Sequence, residues 1–438
     1  MTTLLTRIHR WCVAQEMRFG TLGMGVGVLG VVLSVANVLP LNFTNLLFFT
    51  GLFFLVALYR PNIVFLLLVA SLPFETMNLL PENIGFTLRP YQWLFLMLVL
   101  ALGVRLLSKR TSWPLLRLSL LDVSLALIPF GALLSGLVSG GEGLRLAIIV
   151  TSFYALYLLG RIFLRTVRDV AMASTTLFAS GFAVLVFSIA QNLAFEQGRL
   201  LETVMPGRPN GTFAEPDWLG FFMVIFLIVV FARLRTLLGQ ATVPPLEKSV
   251  WIFLQTMLLV LVLVVLILTV SRSAWLAAIV SFLVWTMGSL FVDGRASLRY
   301  ILQSVQCLVV SCVLALFIVV DVPLTRFDLL NRAESTATGL QEITGACDVL
   351  TDIPRTIQQV DELAGFGCRH INLEEQASLE ADGFTIQTTS RPDPNIVIRN
   401  EIYQMAWSEI HAHPILGIGW GNIGSTLGRD ANGLAYNA

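Results

Sequence analysis

Long apolar runs separated by short polar links dominate the first three quarters of the chain. Crossing a hydrocarbon core of about 30 Å takes roughly 17–25 helical residues. Eleven stretches approach that requirement, near 20–39, 43–59, 61–74, 91–107, 120–139, 144–160, 171–194, 216–233, 250–270, 273–292 and 300–320. The run from Trp251 to Val270 contains no charge at all. The third stretch is short and runs into Pro73, so it is either re-entrant or borrows Met77 to Leu80. The first is too long for the apolar core of a signal peptide, and its end at Asn37 to Pro40 lacks a small-residue cleavage site.

Composition agrees with the pattern. Of 438 residues, 56% are hydrophobic and 13% charged, whereas a soluble globular chain has about 25% charged residues. Too little polar surface exists to cover a water-soluble body. An ordinary cytosolic enzyme and a disordered regulator are excluded, and so is a nucleic-acid binder, which needs a net basic field. The expected fold is all-α: a polytopic helical membrane bundle of about eleven spans with one large, partly helical extracytoplasmic loop. That gives a transmembrane domain over 1–321 and an extracytoplasmic loop domain over 322–438.

Orientation follows from Lys and Arg in the short loops. With the N-terminus cytoplasmic, sixteen fall inside (Arg105, Arg161, Arg233, Arg235 and Lys248 among them) and five outside, namely Arg89, Arg145, Arg199, Arg208 and Arg272. An odd number of crossings then puts everything after about residue 321 outside the cytoplasm. This segment is acidic, with 15 Asp/Glu against 7 Lys/Arg, and holds three of the four histidines. Helix-like pieces are expected at about 348–364 and 398–411. Cys347 and Cys368 both fall here, 21 positions apart. In an oxidising compartment they are expected to form a disulfide, worth about 3 kcal/mol in the chain-entropy model. The alternatives are two unpaired thiols or, less simply, a zinc site that His370 alone does not complete.

Candidate chemistry collects on the outer side. Arg208 lies in the turn-rich Gly207 to Phe213 segment, followed by Glu215 and Asp217. These two acids pair with Arg208, bind sugar hydroxyls, or merely solvate the loop. Arg272 lies in a very short link between two apolar helices. An arginine at such a depth marks a function or a paired charge, and a guanidinium fork matches phosphate oxygens. The competing reading is an Arg272 side chain that snorkels to lipid headgroups.

A third cluster runs from Arg399 to Asn422. Ile398, Ile402, Met405, Ala406 and Ile410 recur at helical spacing, and Pro414 with the following glycines ends that helix in a turn. His411 and His413 are two apart and share no helix face, which argues against a metal site. A formal GxGxxG at Gly419, Gly421 and Gly424 follows a helix rather than a strand, so the dinucleotide reading fails. Gly23 and Gly27 form a GxxxG, most simply a helix-packing face.

These segments together resemble the bacterial O-antigen ligase/polymerase superfamily, over roughly residues 200–438. Its first motif reads here Arg208-Pro209-Asn210-Gly211-Thr212-Phe213-Ala214-Glu215-Pro216-Asp217, and its second Ser271-Arg272-Ser273-Ala274-Trp275-Leu276. The third matches at Arg399, Tyr403, Ala406, His413, Pro414, Gly417, Gly419, Gly421 and Asn422. The resemblance implies a glycosyltransferase of the bacterial cytoplasmic membrane, working on its outer face. The donor is a glycan on undecaprenyl diphosphate, and the acceptor is lipid A core or another lipid or saccharide. No sugar nucleotide, metal or other cofactor is expected. Substrate-binding residues are expected at Arg208, Arg272, Arg399, Glu215 and Asp217. The ligase branch uses a histidine general base after the outer loop; its motif is expected beyond Ala438, which leaves the catalytic residue unknown and suggests that the chain lacks C-terminal spans. His413 is read as structural. The sequence leaves ligase and polymerase unseparated. Two other readings are a non-catalytic membrane remnant and a transporter, the latter calling for broken helices and midplane polar groups, of which few are seen.

Overall fold

A computed structural model of the chain describes residues 2–36, 39–80, 87–110, 116–196, 208–239, 244–294, 298–321, 338–348, 353–371, 373–414 and 417–419. Eleven apolar helices follow one another: α1 (Thr2–Val35), α2 (Phe43–Tyr59), α3 (Pro61–Ser71), α4 (Pro90–Leu107), α5 (Leu120–Ser139), α6 (Gly141–Phe163), α7 (Val167–Glu196), α8 (Pro216–Gly239), α9 (Pro245–Leu268), α10 (Arg272–Asp293) and α11 (Leu298–Asp321). Each overlaps one of the eleven expected stretches. Among the described residues, eight are long and apolar enough to cross a membrane, while Arg18–Leu33, Phe43–Tyr59 and Pro61–Ser71 are shorter apolar helices. The starts follow local chemistry. Pro61, Pro90 and Pro245 occupy first-turn positions where a missing N–H costs nothing. Asn42, Ser119 and Ser271 accept from amides of the first turn of α2, α5 and α10.

The chain divides into two compact units. The first comprises Met1–Ser112 and Phe163–Arg326. Within it α1 runs along α7, α3 packs on α1, α4 and α7, and α9 lies between α8 and α11. The α1–α7 seam uses the glycines noted above: a Cβ at Gly23 would lie 2.3 Å from the Thr176 carbonyl oxygen, and one at Gly27 would lie 2.8 Å from the Ala183 Cβ. The GxxxG is thus a close-packing face, because only a bare Cα lets the two backbones approach so far. Outward faces stay apolar, with Phe48 67% and Phe317 63% exposed, which suits hydrocarbon and not water.

The third apolar stretch departs from a simple span. Its helix stops at Ser71, and the next residues do not extend it. Phe74, Met77, Leu79 and Leu80 are nevertheless buried. The Asn78 side chain supplies the ladder this irregular segment lacks. Its Oδ1 accepts from Leu80 N and Leu88 N, and its Nδ2 donates to Leu80 O. Non-helical backbone at membrane depth is tolerable when it is so enclosed.

The second unit comprises Trp113–Ile162 and Phe327–Ala438. In its helical part Asp122, fully buried, binds Arg161 and the Tyr157 hydroxyl. Its part after residue 337 departs from the all-helical expectation. Strands β1 (Leu340–Cys347), β2 (Cys368–Ile371) and β3 (Thr385–Pro392) form an antiparallel sheet in the order β2-β1-β3. A 3₁₀ turn at Val360–Phe366 and α12 (Leu373–Ala381) accompany it. Alternate residues of β1 face opposite ways. Ile343 and Cys347 join Ile357, Leu363 and Cys368 in one core, while Ala346 joins Ile371 and Leu379 in another. Cys347 and Cys368 are register partners joined by a disulfide. The helical pieces are also redrawn: Val360–Phe366 is all that is helical among the described part of 348–364, whereas α13 (Pro394–Ala412) encloses 398–411.

Candidate functional site

In the first unit, three links converge at one end of the bundle: α3–α4, α7–α8 and α9–α10. The α9–α10 link is only three residues, Thr269 to Ser271. Val270 adopts φ 52°, a left-handed conformation that a β-branched residue rarely takes, so the surrounding contacts must hold the turn. They do so from several sides. Thr269 Oγ1 donates to Leu266 O at 2.7 Å and Trp275 Nε1 to the same carbonyl at 2.9 Å. Ser271 caps α10 through Ala274 N. From α8, Gly220 comes so close that a Cβ there would lie 2.8 Å from the Ala274 Cβ and 3.2 Å from Thr269 Oγ1.

The Thr269 carbonyl, just past the last turn of α9, is bound by the α7–α8 link. Arg208 Nε donates to it at 2.8 Å, and Arg208 Nη2 donates to Asp217 Oδ1 at 3.1 Å. Arg208 is 12% exposed and Asp217 50%. The guanidinium is therefore fixed by two acceptors, one at a helix C-terminus where the dipole favours a cation, and one in the first turn of α8 where it favours an anion. Arg272, the first residue of α10, is half-buried and starts three positions after the carbonyl that holds Arg208.

Between Arg208 and Glu215 the link dives into protein. Asn210, Gly211, Thr212 and Phe213 are all buried. Gln191 Oε1 of α7 accepts from Asn210 N at 3.1 Å and Gly211 N at 2.9 Å. Asn210 Nδ2 closes the turn on Phe213 O at 2.7 Å. Gly211 has φ 59°, and a Cβ there would meet Ser188 Oγ at 2.7 Å, so glycine is required twice over. On the other side Thr212 O accepts from Glu75 N and Thr76 N at 3.0 and 3.1 Å, and Thr212 Oγ1 donates to Pro73 O.

Of the expected binding residues, Arg208, Asp217 and the turn that begins with Thr269 and leads into Arg272 are brought together. Glu215 ends the link, is exposed, and its carbonyl accepts from Trp218 N and Leu219 N at the start of α8. Arg399 belongs to the second unit, exposed in the middle of α13. There His411 Nδ1 donates to Trp407 O at 2.8 Å, and His413 lies at the helix end with its Nε2 3.9 Å from Glu409. Gly417 N then donates to His413 O with φ 63° at Gly417, closing the turn. Gly421, Asn422 and Gly424 lie outside the described residues, as does Arg199.

Glu75 and Arg89 were missed as site residues. Glu75 Oε1 lies 3.1 Å from Arg89 Nη2, and its Oε2 accepts from Ala214 N at 3.5 Å. No motif flags them; the available signal was two opposite charges flanking an apolar stretch that fails to complete a span.

The fold and this end-of-bundle cluster define a helical integral membrane protein with cationic side chains gathered on interhelical links at one end of its first unit. Residues 257–437 match the family model described as O-Antigen ligase, which bears out the superfamily resemblance over that part of the chain. The match takes in Arg272 and Arg399, and it leaves the Arg208 link to the geometry. No curated protein and no solved structure matches the chain.

Proposed function

We propose that the protein is an O-antigen-ligase-type glycosyltransferase of the bacterial cytoplasmic membrane, moving a glycan from undecaprenyl diphosphate to an acceptor such as lipid A core at the outer face. The observation that carries this reading is the docking of Arg208 on the Thr269 carbonyl, beside the start of α10 at Arg272. Two guanidiniums on one rigid frame suit a diphosphate, whose charge grows as the glycosyl bond to it breaks. Donors already oriented toward that charge stabilise the transition state without reorganising. Arg399, in the second unit, is proposed separately as a substrate-binding residue. Glu215 and Asp217 serve the sugar hydroxyls and the orientation of Arg208.

Outer-face placement is supported by parity. The α7–α8 link touches both the α3–α4 and the α9–α10 links, as loops on one side can. The arginines in these links are Arg89, Arg199 and Arg208, and Arg272 follows the third link at once. The basic residues assigned to the inside anchor other helix ends: Arg105 donates to Leu58 O, Arg233 to Thr175 Oγ1, Arg235 to Ser289 Oγ and Lys248 to Leu238 O. In this topology the disulfide-linked sheet stands in an oxidising compartment.

The test is an acceptor assay with the purified protein and a defined undecaprenyl-diphosphate glycan. Transfer to lipid A core makes it a ligase, and ladder growth of the lipid-linked chain makes it a polymerase using the same donor site. Neither product, from a protein folded in bilayers, overturns the transferase reading.

A further inference from the structure

We propose that Glu75 is a positioning residue for Arg208, acting through the link from Pro209 to Ala214, with Arg89 as its counter-ion; this rests on the donor-site reading above. The path is traced bond by bond. Glu75 uses its backbone N–H on Thr212 O at 3.0 Å and its carboxylate on Ala214 N at 3.5 Å. The same carboxylate holds the Arg89 guanidinium at 3.1 Å, and Arg89 Nη1 donates to the Tyr91 hydroxyl at 3.2 Å. Thr76 adds its N–H and its hydroxyl to Thr212 O. The opposite wall of the link is Gln191, which accepts from Asn210 and Gly211. Arg208 therefore leaves a segment gripped from α7 on one side and from the α3–α4 link on the other.

Within this grip Glu75 differs from Gln191 and Thr76 in being charged. It is 10% exposed, against 31% for Arg89. A neutral acceptor would serve Ala214 N equally well. The carboxylate is needed to bind Arg89, and with it the start of α4 at Pro90. Glu75 thus ties the arginine link to the α4 helix. A shift of the link by a fraction of an ångström is transmitted to a guanidinium that must meet both Thr269 O and a phosphate oxygen, and misplacements of this kind cost binding and rate. Neither Glu75 nor Arg89 needs to touch the donor for this.

The experiment is a double-mutant cycle on the full chain in lipid nanodiscs, with farnesyl diphosphate as the binding probe and donor KM as the kinetic readout. Glu75→Gln is expected to weaken probe binding about tenfold and to raise donor KM with acceptor KM unchanged. In an Arg208→Lys background the same change is expected to cost less than twofold, because the group it positions is already lost. Arg89→Gln, at a part-exposed site, should show the same loss of effect in that background, and it serves if Glu75→Gln does not insert. Equal effects in both backgrounds, or no effect in either, overturn the positioning role. Wild-type probe binding by Arg208→Lys and by Arg272→Ala instead overturns the donor-site reading.

Discussion

The guanidinium of Arg208 donates to the main-chain carbonyl of Thr269, 61 positions further along the chain, at 2.8 Å. That carbonyl lies just past the end of α9, among groups left without a partner inside the helix. Arg208 satisfies it, and Asp217 takes a second N–H at 3.1 Å. Its plane and direction are set before any ligand arrives. A Lys ammonium is a point charge on a flexible stem and lacks the planar fork that makes both contacts at this geometry. Arg208→Lys is expected to lower transfer about 10- to 100-fold, the scale of a lost hydrogen bond to a charged group of ~1.5–3 kcal/mol. Glycan transfer measured beside membrane yield checks this; activity within twofold of wild type would remove the fork from the account.

The α1–α7 seam gives a stability test with an internal control. Gly23→Ala pushes a Cβ to 2.3 Å from a main-chain oxygen that has little room to retreat, whereas the Cβ of Gly25→Ala has nothing within 4 Å. Overpacking of this kind costs about 1–3 kcal/mol. Thermal unfolding in detergent should show a lower midpoint for Gly23→Ala and an unchanged or slightly raised one for Gly25→Ala. Equal midpoints would mean that the two helices do not meet there.

What could be read from the sequence was set by range. The apolar helices, eight of them of membrane length among the described residues, were legible because long apolar runs are a local signal, and the Arg208 and Arg272 segments stood out by residue type and spacing. The α3 region was only half legible: Pro73 signalled a break, but Asn78 as the stand-in for a hydrogen-bond ladder is a contact no periodicity reveals. The sheet escaped because β1 and β3, Leu340–Cys347 and Thr385–Pro392, mix threonine, glutamine and charge, and β1 lies between two partners with no clean alternation. Within the site, the pairing of Arg208 with Asp217 was among the readings the sequence offered, but Thr269 O on Arg208 and the Glu75 and Thr76 amides on Thr212 O are backbone groups. Main-chain acceptors and donors are present at every residue, so nothing in side-chain identity points to them.

The pairing of Cys347 with Cys368 links β1 to β2 within the apolar core of the small sheet. Its removal by a Cys347→Ser/Cys368→Ser pair is expected to destabilise that unit by about 2–4 kcal/mol. Protease digestion of the segment after residue 321 should accelerate in the variant, with the membrane helices left intact. A digestion rate equal to wild type would show that the sheet holds without the bridge.

Topology makes a separate prediction. Alkaline phosphatase fused after Asp321 is expected to be active, and the same reporter fused after Gly239 inactive, since these ends fall on opposite sides in the proposed orientation. Activity at Gly239 with none at Asp321 would invert the chain and move the arginine links to the cytoplasm.

The central claim is that Arg208 and Arg272 together hold the diphosphate of a polyprenyl-linked glycan. The most direct measurement is donor KM and kcat for the wild type, Arg208→Ala, Arg272→Ala and the double variant in nanodiscs, with acceptor held saturating. The account predicts that each single change lowers kcat/KM for donor at least 100-fold, and that the double change costs less than the product of the two. Donor kcat/KM near wild type in either single variant, with the protein fully inserted, would contradict it.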